Sequence, residues 1–264
     1  MHPGGKHKSL IVSSDLGVLA EKHRAAYQSA TPWPHLVLDD LVDPERVAAA
    51  ETQEINRALG LEIQKVQGIV KAESPDVSGK AASEILDALL TAEFIEFLER
   101  LTGIADLIGD PSHSRAGLHV SPPGAFQALH RDFRRHPTTG QYHRINVLVF
   151  LNSDWKEEYR GELELWPPKA SGPEQMKRIR PEAGRVVIFE TTPTSYHGIP
   201  EPVNCPPGRA RLSLASYYYT EQPGPQDRKD MKVFVPRRPQ DPARLDVQKF
   251  KDLVNSVRDR RRSQ

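Results

Sequence analysis

What most constrains this chain is a change of texture near residue 113. Before it, apolar residues recur at helical spacing; after it, they come in short β-prone runs cut by Pro, Gly and Asp. Helices gathered ahead of strands, rather than alternating with them, predict a mainly β protein with flanking helices, a double-sheeted jelly roll, and argue against a βαβ sheet. The clearest strands are 144–151 (RINVLVFL), 162–166, 185–189 and 211–219, several of them apolar on both faces as buried strands are. Upstream, PHLVLD at 34–39 reads as a short strand.

Two helices are expected in the first part. Asp43 and Pro44 supply an N-cap and an N1 proline ahead of a stripe of Val47, Ala50, Ile55 and Leu59. Phe94, Phe97, Leu98 and Leu101 define a second helix over 93–101 with Gly103 as its stop. Residues 167–181 (PPKASGPEQMKRIRP) read as a mobile loop between strands. Near the end, Val247, Phe250, Leu253, Val254 and Val257 predict an amphipathic helix with a basic terminus at Arg260, Arg261 and Arg262, either docked on the body or binding a partner. The organisation expected is a leader and helix over 1–30, one main domain over 31–222 with helical support at 43–102 and a β core at about 113–220, and an extension over 223–264.

Charge narrows the function classes. Lys plus Arg number 36 against 35 Asp plus Glu, a formal net charge of +1, which argues against a nucleic-acid or membrane-surface binder. A single cysteine, Cys205, cannot form an internal disulfide, and Lys6, Lys8, Asp15 and Glu21 interrupt any signal-peptide core. No run approaches the roughly 20 apolar residues of a membrane span. A soluble cytoplasmic protein is the expectation, with its oligomeric state open and a dimer allowed; residues 1–9, rich in His, Gly and Lys, resemble a leader and are given no function.

One triplet carries chemistry. Ten His and sixteen Asp predict roughly 0.6 His-x-Asp triplets by chance, so the sole instance, His130-Arg131-Asp132, is weak by itself. On a strand, however, residues two apart share a face, so His130 and Asp132 would project together while Arg131 turns away. A third ligand must come from another strand, and His197 is the only His after residue 143. Two His and one carboxylate on one face of an octahedral ion leave three open positions, the arrangement of non-haem Fe(II) oxygenases. The competing reading makes His130 a loop histidine and His197 a core one.

The stretch LHRDFRRHPTTGQYHRINVLVFLNSDWKEEYRGELELWPP, followed by RVVIFETTPTSYHGIPEPVNCPPGRARLSLASYYYT, resembles the bacterial 2-oxoglutarate/Fe(II) oxygenases related to prolyl 4-hydroxylases. The likeness covers about 115–220, and TPWPHLVLDDLVDPE extends it back to about residue 31. It implies a double-stranded β-helix, Fe(II) on His130, Asp132 and His197, 2-oxoglutarate and O2 as co-substrates, and ascorbate as a candidate reductant. It also implies that Arg211 takes the distal carboxylate of 2-oxoglutarate with Ser213 beside it. Their alternation with Leu212 and Leu214 puts both on one strand face, and a guanidinium fork matches a carboxylate; Arg209 shares the parity and is the rival. Asn146 and Phe150 share a face and are expected in the same pocket. The family commonly has Tyr where Phe150 stands, and often a first Gly of a Gly-Gly pair where Arg160 stands, which puts that turn in doubt.

The function implied is hydroxylation of an unactivated C–H bond of a small-molecule or amino-acid-type substrate, with succinate and CO2 released. Asp132 supplies the carboxylate whose position a halide takes in related halogenases, which favours hydroxylation. Three alternatives stay open: a prolyl or peptidyl hydroxylase acting on protein, a cupin-like dioxygenase without 2-oxoglutarate, and a non-catalytic jelly-roll binding module. Arg134, Arg135, His136 and His143, in the loop after Asp132, are candidate contacts to an anionic primary substrate, the alternative being a solvated loop paired with Glu157 and Glu158.

Overall fold

The helices follow their caps. The first, α1 (Leu16–Ser29), is capped by Asp15, whose carboxylate accepts from Val18 N. In α2 (Pro44–Leu59) Asp43 caps and Pro44 opens the first turn, as expected. The helix α4 (Ala92–Thr102) starts at Thr91 and stops at Gly103, whose φ of 77° is the left-handed conformation that glycine adopts without strain. Between them, α3 (Lys80–Leu89) was not expected. Its N-cap, Gly79, gives no side-chain hydrogen bond. The first N–H groups are satisfied instead from α2: Glu54 accepts from Gly79 N at 2.6 Å and Gln53 from Ala81 N at 3.0 Å.

The computed structural model describes residues 10–12, 15–61, 64–66, 69–74, 76–77, 79–167, 176–224 and 233–234. The strands are β1 (His35–Leu38), β2 (Gln64–Val66), β3 (Ile69–Ser74), β4 (Ile108–Gly109), β5 (Gly117–Ser121), β6 (Phe126–Arg131), β7 (Tyr142–Phe150), β8 (Leu163–Trp166), β9 (Lys177–Ile179), β10 (Val186–Glu190), β11 (Tyr196–Ile199), β12 (Arg211–Thr220) and β13 (Val233–Phe234). All five strands read from sequence are present. The stretch expected as loop, 167–181, contains β9, which pairs with the edge of β8; its alternating Lys, Arg and Ile gave little apolar signal. The helix expected over 247–257 and the leader over 1–9 lie outside the described residues.

The order β1-β10-β7-β12-β5-β3 makes one antiparallel sheet, and β3 continues through β6 into β11, β8 and β9. The two layers face each other as a jelly roll, a double-stranded β-helix. Period-two alternation sorts each strand between two cores. Along β7, Ile145, Val147 and Val149 join Leu212, Leu214 and the four helices in the outer core. Leu148 and Phe150 join Phe189, Leu165, Ala215 and Tyr217 inside the roll. Helices buttress one sheet, and the interior face is left for the site. No helix among the described residues is long and apolar enough to cross a membrane.

Candidate metal centre and active site

His130 lies near the end of β6, Asp132 is the first residue beyond Arg131, and His197 sits on β11 directly opposite His130, their ring centroids 4.5 Å apart. Asp132 Oδ1 is 3.4 Å from His130 Nε2 and Oδ2 is 3.5 Å from His197 Nε2, and all three residues are buried. The backbone sets the tautomers. His130 Nδ1–H donates to Ala128 O at 2.9 Å and His197 Nδ1–H to Ser195 O at 3.1 Å, which leaves both Nε2 lone pairs turned to the carboxylate. The ligand atoms lie within 4.8 Å of one another, the only such group of His, Cys or acidic side chains among the described residues. Two imidazole lone pairs and a carboxylate that converge without a proton between them suit a divalent ion.

A β-bulge shapes this centre. His130 pairs with His197 but Gln127 pairs with Ile199, so β6 spends one more residue than β11 over the same span. The extra residue changes the parity of β6 and puts Gln127 on the cavity wall with His130, where its amide nitrogen is 3.2 Å from His130 Nε2. Gly198 packs on the bulge: a Cβ there would lie 2.7 Å from Gln127 O and 2.9 Å from Ala128 O.

The cavity runs from the three candidate ligands to Arg211 and Ser213 on β12. Arg211 is buried; its Nε donates to Gly161 O at 2.7 Å and its guanidinium lies 4.8 Å over the Phe150 ring. No described carboxylate pairs with it. Burial pulls its pKa down to about 9, with Glu162 acting the other way, so it keeps its proton at neutral pH. A buried, charged guanidinium on a cavity wall with no carboxylate in ion-pair contact among the described residues is suited to an anionic ligand. The rival Arg209 is outside: it donates to Ser153 O and lies over the Tyr159 ring. Phe150 lies beneath Arg211 rather than on the cavity wall. Asn146 lines the cavity, and its amide donates to Asp132 Oδ2 at 2.7 Å.

The loop after Asp132 departs from the sequence reading. None of Arg134, Arg135, His136 or His143 lines the cavity. Arg134 is buried and donates to Thr191 O, while Arg135 stacks on Tyr142. His136 Nε2 is 3.2 Å from Asp110 Oδ2, and its Nδ1 accepts from Thr138 N and Thr139 N. His143 is wholly buried against Phe133, Tyr217 and Tyr219, and burial lowers its pKa to about 4, which keeps it neutral. The loop folds back as a hairpin, and its polar groups are taken up by the hairpin itself and by Thr191 and Asp110. Sequence reasoning missed Arg115, His119 and Gln127, which do line the cavity; the first is presented by a turn and the third by the bulge, and neither has a strand-period signature.

Residues 116–219 match the sequence profile of the 2OG-Fe(II) oxygenase superfamily. Over that stretch, the β core is similar in sequence to that superfamily. An oxygenase core of this kind works with Fe(II), 2-oxoglutarate and O2. Solved structures agree on the fold: a Pseudomonas putida prolyl-4-hydroxylase (TM-score 0.53, 17% identity, 78% of this chain and 98% of that one), and a Trichoplax adhaerens prolyl hydroxylase in complex with a hypoxia inducible factor peptide (0.56, 14%, 78% and 91%). A third is a Phytophthora capsici prolyl 4-hydroxylase (0.52, 20%, 83% and 70%). The comparison with curated proteins gives no match.

Proposed function

We propose that His130, Asp132 and His197 hold the iron, that Arg211 with Ser213 holds 2-oxoglutarate by its distal carboxylate, and that the protein hydroxylates a C–H bond of a small or amino-acid-type molecule. The observation that carries this is one cavity joining three convergent ligand atoms to a buried guanidinium that has no ion-pair partner among the described residues. Bound iron, 2-oxoglutarate and O2 supply the oxidising chemistry, with succinate and CO2 as co-products. The chain's own residues position and exclude. Ala128 O and Ser195 O fix the two imidazoles, Asn146 fixes Asp132, and Arg211 anchors the co-substrate through charge-assisted hydrogen bonds. Leu148, Leu163, Phe189 and Tyr217 wall the cavity and limit its water.

A small substrate is favoured by the hairpin after Asp132. His136 N donates to Gln141 O and His143 N to Arg134 O, so this loop offers no open backbone edge to an extended peptide. The test is anaerobic addition of Fe(II) and then 2-oxoglutarate to the purified chain, watching for the visible charge-transfer band of the chelate. The band should form with wild type and fail with His130→Ala, Asp132→Ala and His197→Ala. A band of wild-type strength in a folded triple variant would sink the assignment.

A further inference from the structure

The cavity has a second cation that the co-substrate reading does not use. Arg115 lines the same cavity as the candidate ligands, its guanidinium 4.6 Å above the ring of Phe133. Its level can be read from the register. Ala215 pairs with Gly117 and Asp110 N donates to Tyr217 O, so the turn between Asp110 and Gly117 that carries Arg115 sits beside Tyr217; Asn146, which holds Asp132, pairs with that same Tyr217. Arg211 stands six residues back along β12, about 20 Å away at about 3.4 Å per residue. The two arginines therefore enter the cavity from backbone positions at opposite ends of β12.

The chain goes to some trouble to present Arg115. Its φ of 63° is left-handed, a conformation that an arginine holds only where its surroundings impose it. The turn before it is built on Asp110, which accepts from Ser112 N and Ser112 Oγ at Oδ1 and from Ser114 N at Oδ2, the oxygen that His136 also meets. Ala116 N then closes the turn on His113 O at 2.8 Å. Phe133 covers one face of its planar group, and among the described residues its N–H donors make no hydrogen bond and no ion pair.

Resting on the function proposed above, we infer that Arg115 anchors the primary substrate by a carboxylate, so that the substrate is a small carboxylic acid whose reacting carbon is held beside the metal. A diacid that spans from the metal to Arg211 leaves Arg115 to a different anion. A single guanidinium balances one carboxylate and matches its planar pair of oxygens. The cationic contact expected of the loop after Asp132 thus comes from the turn that His136 supports.

The full chain is loaded with Ni(II), which prevents turnover, and 2-oxoglutarate binding is measured by calorimetry. A panel of N-acetyl amino acids and their matching C-terminal amides is then titrated into the ternary complex. Acids should bind wild type at least tenfold tighter than their amides. Arg115→Ala and Arg115→Gln should lose on the order of 10- to 100-fold in acid affinity, with Arg115→Lys between them and 2-oxoglutarate affinity unchanged in all three. Absence of any acid-over-amide preference across the panel, or a preference that survives in Arg115→Ala, would overturn the inference while leaving the iron and 2-oxoglutarate reading intact. Failure of 2-oxoglutarate to bind the Ni(II) protein would overturn both.

Discussion

Asn146, at the centre of β7, donates a 2.7 Å hydrogen bond to Oδ2 of Asp132, the carboxylate oxygen that also faces His197. The bond fixes one carboxylate oxygen and leaves Oδ1 toward His130, so the position of the acid relative to both imidazoles is set by a strand of the opposite sheet. Asn146→Ala should keep the fold and weaken Fe(II) or Co(II) binding on the order of 10- to 100-fold, as removal of outer hydrogen-bond partners of metal ligands does. A metal titration followed by absorbance reads this, and an unchanged affinity would remove Asn146 from the centre's support.

Gly198 makes a different contribution, by having no side chain. Since the atoms a Cβ would strike, Gln127 O and Ala128 O, are backbone, relief requires β11 to move away from β6 and therefore His197 from His130. Gly198→Ala should destabilise by about 1–3 kcal/mol and loosen metal binding at the same time. Thermal unfolding with and without metal checks it: a variant with lower stability but undiminished metal-induced stabilisation would show that the bulge does not position the histidines.

These two residues show where sequence reading stops. That His130 and Asp132 share a face, and that Arg211 and Ser213 share another, could be read because strand parity is written in the chain; the structure brings all four with His197 to one cavity. Asn146 was placed on the interior face correctly, but its partner was not visible, because the β7 register against β6 is a property of the closed roll. The bulge hid Gln127, since it reverses parity in mid-strand without a glycine or proline to mark it. Arg134, Arg135, His136 and His143 were read as substrate contacts from proximity to Asp132 alone. The hairpin and its partners Thr191, Tyr142, Asp110 and Phe133 hold these side chains off the cavity wall, and each partner lies far along the chain or depends on a turn. The missing α3 has the same cause: its caps are Gln53 and Glu54 of another helix.

Arg160 keeps the turn that glycine would be expected to make. Its φ of 55° and ψ of −149° lie in a region suited to glycine, and its carbonyl is held by Trp155 Nε1 at 2.7 Å. Its side chain is exposed. Arg160→Gly should therefore raise stability by about 1 kcal/mol, the relief of strain exceeding the greater chain entropy of glycine. Denaturant unfolding would show the midpoint rise; a fall would mean that the arginine side chain contributes a contact of its own.

The two candidate carboxylate partners, Arg211 at the start of β12 and Arg209 two residues before it, separate cleanly. Arg211→Ala removes a buried guanidinium from the cavity and should weaken 2-oxoglutarate binding on the order of 10- to 100-fold while leaving metal affinity nearly unchanged. Arg209→Ala, outside the cavity, should leave it within about twofold of wild type. The reverse pattern would place the co-substrate elsewhere.

Asp110 supplies the pH dependence. Burial pushes its carboxyl up, but the hydrogen bonds from Ser112 and Ser114 and the neighbouring His136 outweigh that and hold it below the ordinary value of about 3.9. A carboxyl depressed in the folded state binds its proton more readily when unfolded. Its contribution to stability is therefore fully present above the unfolded value and is lost as the pH falls through the folded one. Asp110→Asn, which cannot ionise, should unfold at a lower temperature than wild type by a constant margin above about pH 5, and the margin should narrow below about pH 4. The same substitution loosens the turn that carries Arg115, so it should also weaken acid binding to the Ni(II) and 2-oxoglutarate complex at pH 7, though less than Arg115→Ala does. Melting curves across pH 3 to 7 and the calorimetric titration read the two effects separately. A margin that stays constant down to pH 3 would show that Asp110 does not owe its role to its charge.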